Sequence, residues 1–183
     1  HRITLIPGDG IGPEVVAATQ KVLETAGVAI EWDTHHAGLE VAKLTGTPLP
    51  PSVVESVRKT RVALKGPVGT PIGGGFRSVN VTLRQTLDLY ANVRPIRSLP
   101  NVEKRFDVDM VIVRENTEGL YAGLELMILP GVAQSIKLTT EKSSTRIARF
   151  AFDYETINPA ARAFWPRHLT IVARSSMRVL ERA

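Results

Sequence analysis

Arg2-Ile3-Thr4-Leu5-Ile6-Pro7-Gly8-Asp9-Gly10-Ile11-Gly12-Pro13-Glu14 is the stretch from which the fold is read. A short apolar run, Arg2–Ile6, has strand character and breaks into alternating glycines. Pro13 then suits the first turn of a helix, where a missing N–H costs nothing. Beyond it Val15, Val16, Val22, Leu23 and Ala26 recur at helical spacing, and Gly27 supplies a stop. The order strand, glycine turn, helix invites comparison with the dinucleotide fingerprint G-x-G-x-x-G. The spacing is wrong for it, with Pro13 in the way of the last glycine. Two readings remain: a tight turn feeding the helix, or a cleft-lining segment close to a cofactor.

Outward from this unit, strand and helix signals alternate. Val28–Trp32 reads as a strand, Gly38–Leu44 as a short helix, Pro48 to Pro51 as a turn, Ser52–Lys59 as a helix and Arg61–Lys65 as a third strand. The glycine- and proline-rich connection from Gly66 to Arg77 is long enough to suggest function. A helix is predicted near Ser78–Leu89 and a strand at Tyr90–Arg94. Val108–Val113 is a near-continuous apolar run, as expected of a strand covered on both faces. Between Tyr121 and Thr140, β-branched residues around Pro130-Gly131 predict strand, turn, strand. Ser143 or Ser144 can cap a last helix with Ile147, Phe150, Ala151 and Tyr154 on one face. The alternation argues for α/β layers with a mostly parallel sheet.

Composition narrows the function classes. Of 183 residues, 43% are apolar and 22% charged, with mean hydropathy +0.00, so a proper core is expected and disorder is not. No apolar run approaches the ~20 residues of a membrane span, and the opening run carries no pattern of a secretory or transit leader. With 0 cysteines there is no disulfide, thiolate metal site or cysteine nucleophile. The net charge of +5 raises the possibility of nucleic acid, but it is unevenly spread. Up to Lys142 there are 16 basic against 15 acidic residues; after it come 7 arginines and 3 acids, with no glycine beyond Gly131. Trp32 and Trp165 are isolated, without the basic-aromatic interleaving of a nucleic-acid platform. His35, His36 and His168 lack metal-ligand spacing.

The second glycine cluster carries more chemistry. Gly73-Gly74-Gly75 frees the backbone to approach a ligand, and the chain then delivers Ser78 and Asn80 to a helix start, where N–H groups and the helix dipole favour an anion. Asn80 and Arg84, four apart, share a face. Arg94 and Arg114 end strand-like runs, and in open parallel sheets ligands bind beyond the carboxyl ends of strands. Guanidinium groups grip carboxylates through paired charge-assisted bonds, so these residues together describe a pocket for a small polycarboxylate. Tyr121, between Gly119 and Gly123, reads either as a proton donor or as a packing aromatic.

Leu5–Glu14 (LIPGDGIGPE), Lys65–Asn80, Leu83–Pro95 (LRQTLDLYANVRP) and Asp109–Gly123 (DMVIVRENTEGLYAG) together resemble the isocitrate and isopropylmalate dehydrogenases, over Ile3 to about Tyr154. The Ser78-Val79-Asn80 step is similar to the isocitrate branch, and the wording of Tyr90–Pro95 and Glu115–Gly123 to its NAD-dependent members. The resemblance implies an α/β parallel-sheet fold that is not a Rossmann fold. Residues 1–95 would form the N-terminal part of a large domain and 96–183 part of a small one, divergent after about 154. It implies that Ser78, Asn80, Arg84, Arg94 and Arg114 hold the substrate carboxylates. A serine at the position of Ser78 is phosphorylated in some bacterial relatives, which repels substrate. Thr70 and Ile11 would flank NAD or NADP, and Tyr121 would protonate the enolate left by CO₂.

The implied chemistry is oxidative decarboxylation of isocitrate to 2-oxoglutarate with Mg²⁺ or Mn²⁺. The family's metal-binding aspartates and adenine loop are expected beyond residue 183, so no metal ligand is assigned. Its catalytic lysine is expected after a strand resembling His168–Val172, but Ala173-Arg174-Ser175-Ser176-Met177 follows there. An arginine is a poor base near neutrality. The expectation is an isocitrate dehydrogenase chain complete for substrate binding but incomplete for catalysis. Alternatives are a non-catalytic regulatory subunit of a hetero-oligomer, and an isopropylmalate or other β-decarboxylating dehydrogenase. A homodimer or hetero-oligomer is implied, cytoplasmic in bacteria or in the mitochondrial matrix after loss of a transit peptide, with no nucleic-acid or membrane partner.

Overall fold

The computed structural model describes residues 1–69, 77–103 and 105–157, apart from the side chains of 155–157. Its first half is a three-stranded parallel sheet in the order β2-β1-β3, with β1 (Arg2–Ile6) between β2 (Glu31–Thr34) and β3 (Ala63–Lys65). Register runs Arg2↔Glu31 on one side and Thr4↔Ala63 on the other. Helix α1 (Gly12–Thr25) makes the first crossover, entered through Pro13 and closed by Gly27 at φ +77°, as the sequence predicts. Helices α2 (Leu39–Thr45) and α3 (Pro51–Thr60) make the second.

Helix α4 (Val79–Thr86) seats Val79 and Leu83 among Ile6, Ala37 and Val53, the buried apolar cluster of this half. That seating sets the helix rotation. Residues four apart lie on one face, so Asn80 and Arg84 follow about 100° round from the buried pair.

The remaining strands differ from the expected parallel continuation. β4 (Ala91–Arg97) and β5 (Asp109–Glu115) pair antiparallel, with Asn92 opposite Arg114 and Arg94 opposite Ile112. A parallel return needs a crossover of a dozen residues or more, usually helical, and the described residues between 98 and 108 contain no helix. Nor is β5 covered on both faces; Met110 and Ile112 are exposed. β6 (Gly119–Leu129) and β7 (Val132–Leu138) form an antiparallel hairpin around Pro130-Gly131, as predicted. It leaves Leu124, Leu126, Met127, Ile128 and Leu129 exposed. Helix α5 (Glu141–Ile157) starts earlier than either serine predicts, because Thr140 is the cap: its hydroxyl accepts the Ser143 N–H at 3.2 Å. His168, Trp165 and the stretch around Arg174 lie outside the described residues.

A polar chain crosses the interior of the parallel sheet. Thr4, fully buried, meets the hydroxyls of Ser56 and Thr60 at 2.7 Å, and Ser56 donates to Asp33 at 2.8 Å. The Ser56 hydrogen bond, with smaller help from His35 and Arg2, holds the Asp33 carboxyl below its ordinary value despite some desolvation. A lowered carboxyl pKa stabilises the fold above the unfolded value of about 4 and loses that effect as pH falls further. Stability to urea should therefore drop as pH falls below about 4, and Asp33→Asn should flatten that drop. Ser56→Ala should cost about 1 kcal/mol at neutral pH by removing the hydrogen bonds to Thr4 and Asp33.

Candidate functional site

The turn after β1 and the start of the connection after β3 dock on each other. Asp9 N–H donates to Pro67 O at 2.8 Å, and the Asp9 carboxylate accepts the N–H groups of Gly69 at 2.8 Å and Leu39 at 2.9 Å. Ile11, the residue before α1, stands 67% exposed beside this junction. Thr70 and the triple glycine lie outside the described residues.

Ser78 occupies the cap position of α4, but its hydroxyl makes no capping bond. Asn80 and Arg84 follow on the helix. The charge of Arg84 reaches Lys65 at the end of β3: desolvation first, then Arg84, pulls the Lys65 ammonium below its ordinary value. Cationic side chains from two elements therefore converge here.

Arg94 and Arg114 do not project from parallel strand ends. The antiparallel register brings them together instead, because Arg114 faces Asn92 and Arg94 lies two residues along on the same face. Arg94 Nε donates to Asn92 Oδ1 at 3.0 Å. Arg114 Nη2 donates to the Tyr121 hydroxyl at 3.0 Å, and its guanidinium stands 5.6 Å from the centre of that ring. Among the described residues Arg84, Arg94 and Arg114 have no carboxylate partner, although Arg146 nearby is gripped by Asp88 at 2.8 Å and Glu115 at 3.5 Å.

Tyr121 sits in an irregularity of β6. Register shifts between Gly119↔Leu138 and Leu124↔Ile136, so the intervening residues bulge out of the ladder, with Gly119 at φ +74° and Gly123 at φ +64°. Bulges of this kind re-aim side chains, and these two backbone positions favour glycine. The Gly-x-Tyr-x-Gly spacing was the sequence signal of this geometry. What sequence alone gives no sign of is Gln85. Its Nε2 donates to Thr117 O at 3.2 Å and Tyr121 O at 3.0 Å, holding α4 against the bulge.

A 54% identical isocitrate dehydrogenase structure from Methylococcus capsulatus superposes with TM-score 0.80, covering 86% of this chain and 48% of that one. The sequence model described as Isocitrate/isopropylmalate dehydrogenase matches residues 2–177. The chain belongs to the isocitrate/isopropylmalate dehydrogenase family. Among curated relatives, the mitochondrial NAD isocitrate dehydrogenase catalytic subunit 5 of Arabidopsis thaliana is 53% identical over 152 residues, covering 82% of this chain and 41% of that protein. The chloroplastic 3-isopropylmalate dehydrogenase of Solanum tuberosum is 50% identical over 154 residues, 84% of this chain and 43% of that protein. The chain thus spans less than half the length of these dehydrogenases. The family match continues past Tyr154, where the motif resemblance had ended. No described helix is long and apolar enough to cross a membrane.

The family framework is locked together by α5. Arg146 donates to Asp88 and to the Thr117 hydroxyl, each at 2.8 Å, and stacks 4.4 Å over the Tyr90 ring. Glu118 accepts the N–H and hydroxyl of Thr140 at 2.9 and 2.8 Å. Desolvation alone would raise the Glu118 carboxyl, but bonds from Ser143 and Thr140 and the Arg146 charge outweigh it and hold it below its usual range. Arg146→Met should lower stability by roughly 1–3 kcal/mol, measured by urea denaturation. An Asp88→Asn/Arg146→Met double-mutant cycle should show a coupling of at most about 1 kcal/mol, because Asp88 is solvated.

Proposed function

We propose that this chain forms the isocitrate-binding portion of an isocitrate dehydrogenase that converts isocitrate to 2-oxoglutarate with NAD or NADP. The observation that carries the reading is the Arg114–Tyr121 pair, a guanidinium and a phenol at 3.0 Å, on the same face as Arg94 and tied to the helix bearing Ser78, Asn80 and Arg84. Arg84, Arg94 and Arg114, without carboxylate partners among the described residues, suit a substrate with several carboxylates, since each guanidinium can grip a carboxylate with two parallel bonds. Ser78 and Asn80 favour isocitrate over isopropylmalate: a hydroxyl and an amide at a helix start complement a third carboxylate, whereas an isopropyl group would leave both unsatisfied. The two branches stand at nearly equal identity, so this step carries the distinction.

A nicotinamide cofactor, when bound, accepts the hydride from the carbon bearing the substrate hydroxyl. Ile11 and Thr70 are assigned to its surroundings. The chain's own residues then hold the carboxylates through the arginines and, after CO₂ departs, donate the Tyr121 proton to the enolate carbon. Arg114 reprotonates nothing; it orients the phenol and, as a cation, stabilises the phenolate that forms. Among the described residues no group of three or more His, Asp or Glu side chains could hold the divalent cation expected of the family, and no step is assigned to one. The exposed apolar hairpin β6–β7 supports assembly with a second copy or a related subunit.

Calorimetric titration with isocitrate and with isopropylmalate tests the reading. Isocitrate should bind and isopropylmalate should bind at least tenfold more weakly, a difference of about 1.4 kcal/mol. Arg84→Ala should weaken isocitrate binding by roughly tenfold to a hundredfold, and Ser78→Asp should abolish it by charge repulsion. Equal affinity for the two acids would refute the assignment. Turnover with isocitrate, NAD and Mg²⁺ by this chain would in turn exclude the non-catalytic subunit reading.

A further inference from the structure

Gln85 bonds the segment around Tyr121 directly through Nε2 and, by way of Arg77, through Oε1. Nε2 donates to the carbonyl oxygens of Thr117 and Tyr121, at 3.2 and 3.0 Å, while Oε1 accepts from Arg77 Nη1 at 3.3 Å. Arg77 Nη2 donates in turn to Ala122 O at 2.7 Å. The amide has one competent orientation, because the flipped one would set its oxygen against two carbonyl oxygens. Glycine is the least restrained residue, so the backbone around Tyr121, with Gly119 and Gly123 at its ends, has little stiffness of its own. Bonds from outside help to impose its geometry, and the two made by Gln85 come from α4.

The origin of those bonds matters. Gln85 lies seven residues after Ser78, on the same side of the helix, and directly follows Arg84. Ser78, Asn80 and Arg84, three of the residues assigned to the substrate, and the Gln85 bonds to the Tyr121 backbone therefore belong to one helix and its cap, held in the core by Val79 and Leu83. We infer that Gln85 is a positioning residue for Tyr121: it fixes the carbonyls at Thr117 and Tyr121 so that the phenol stays on Arg114 and keeps a constant offset from α4. The inference rests on the reading of Tyr121 as the proton donor. Gln85 itself contacts no substrate in this account.

The test uses this chain with tyrosine labelled at ¹³Cζ. Its three tyrosines, Tyr90, Tyr121 and Tyr154, give three signals, with Tyr121→Phe assigning one. Gln85→Met keeps the side-chain length without donors, and Gln85→Glu keeps the shape but turns the donors into acceptors. The Tyr121 signal alone should move or broaden in both, more so in the glutamate variant, while those of Tyr90 and Tyr154 stay in place. Should Gln85→Glu fail to fold, Gln85→Met decides. An unchanged Tyr121 signal would overturn the inference, as would equal displacement of all three signals, the mark of general loosening. Isocitrate calorimetry on the same samples separates the two proposals. Gln85→Met should bind within about threefold of the unsubstituted chain, and loss of binding would make Gln85 a substrate ligand instead. Absence of isocitrate binding by the unsubstituted chain would sink the functional reading, while a selective Tyr121 displacement without ligand would still establish the positioning role.

Discussion

The close approach of two backbone segments, Pro7–Gly12 and Gly66–Gly69, is the constraint on which the rest of the arrangement depends. A Cβ at Gly8 would overlap the Pro67 carbonyl, and one at Gly66 would overlap the Pro7 carbonyl. Only glycine permits this contact, and Gly8 is also at φ +83°. The contact closes the carboxyl ends of β1 and β3 against each other and is stitched by Asp9, which serves Gly69 and Leu39 at once. It thereby sets where the chain leaves β3 towards α4. The glycines that look like a dinucleotide loop are thus packed against another part of the same protein.

From that junction a chain of fixed contacts leads to the Arg114–Tyr121 pair. Val79 and Leu83 seat α4 in the core of the parallel sheet, which turns Asn80 and Arg84 to a neighbouring face. Gln85 holds the bulge of β6 against the same helix, and Arg114 meets the Tyr121 hydroxyl. Arg146 closes the assembly from α5, joining Asp88, Glu115 and Thr117. Polar groups make most of these links, so the site's geometry is specified by direction-dependent bonds and not by apolar packing alone. The apolar β6–β7 hairpin, by contrast, finds no cover among the described residues.

Much of this was legible in the sequence, for identifiable reasons. Local signals located the elements well: Pro13 and Gly27 bracket α1, and Pro130-Gly131 turns the hairpin. The bulge around Tyr121 was not read from the sequence, although Gly119 and Gly123, both at positive φ, stand at its ends. The orientation of β4 and β5 was misread because apolar runs report a strand but not its direction, and only the shortness of the connection between them bears on that. Arg94 and Arg114 do share one face, but cross-strand register puts them there and not the ends of parallel strands. The roles of Gln85 and Arg146 were not legible at all. Each depends on partners about 30 residues away or more, which no local pattern announces.

The central claim is that α4 and the β4–β5 face form one site for a single polycarboxylate. NMR observation of the arginine Nε–H groups during isocitrate titration tests it most directly. The account predicts that the signals of Arg84, Arg94 and Arg114 shift together along one binding curve with a common Kd, and that citrate, which carries the same three carboxylates, reproduces the pattern. Three different curves, or shifts at Arg84 without any at Arg94 and Arg114, would show separate anion contacts and contradict it.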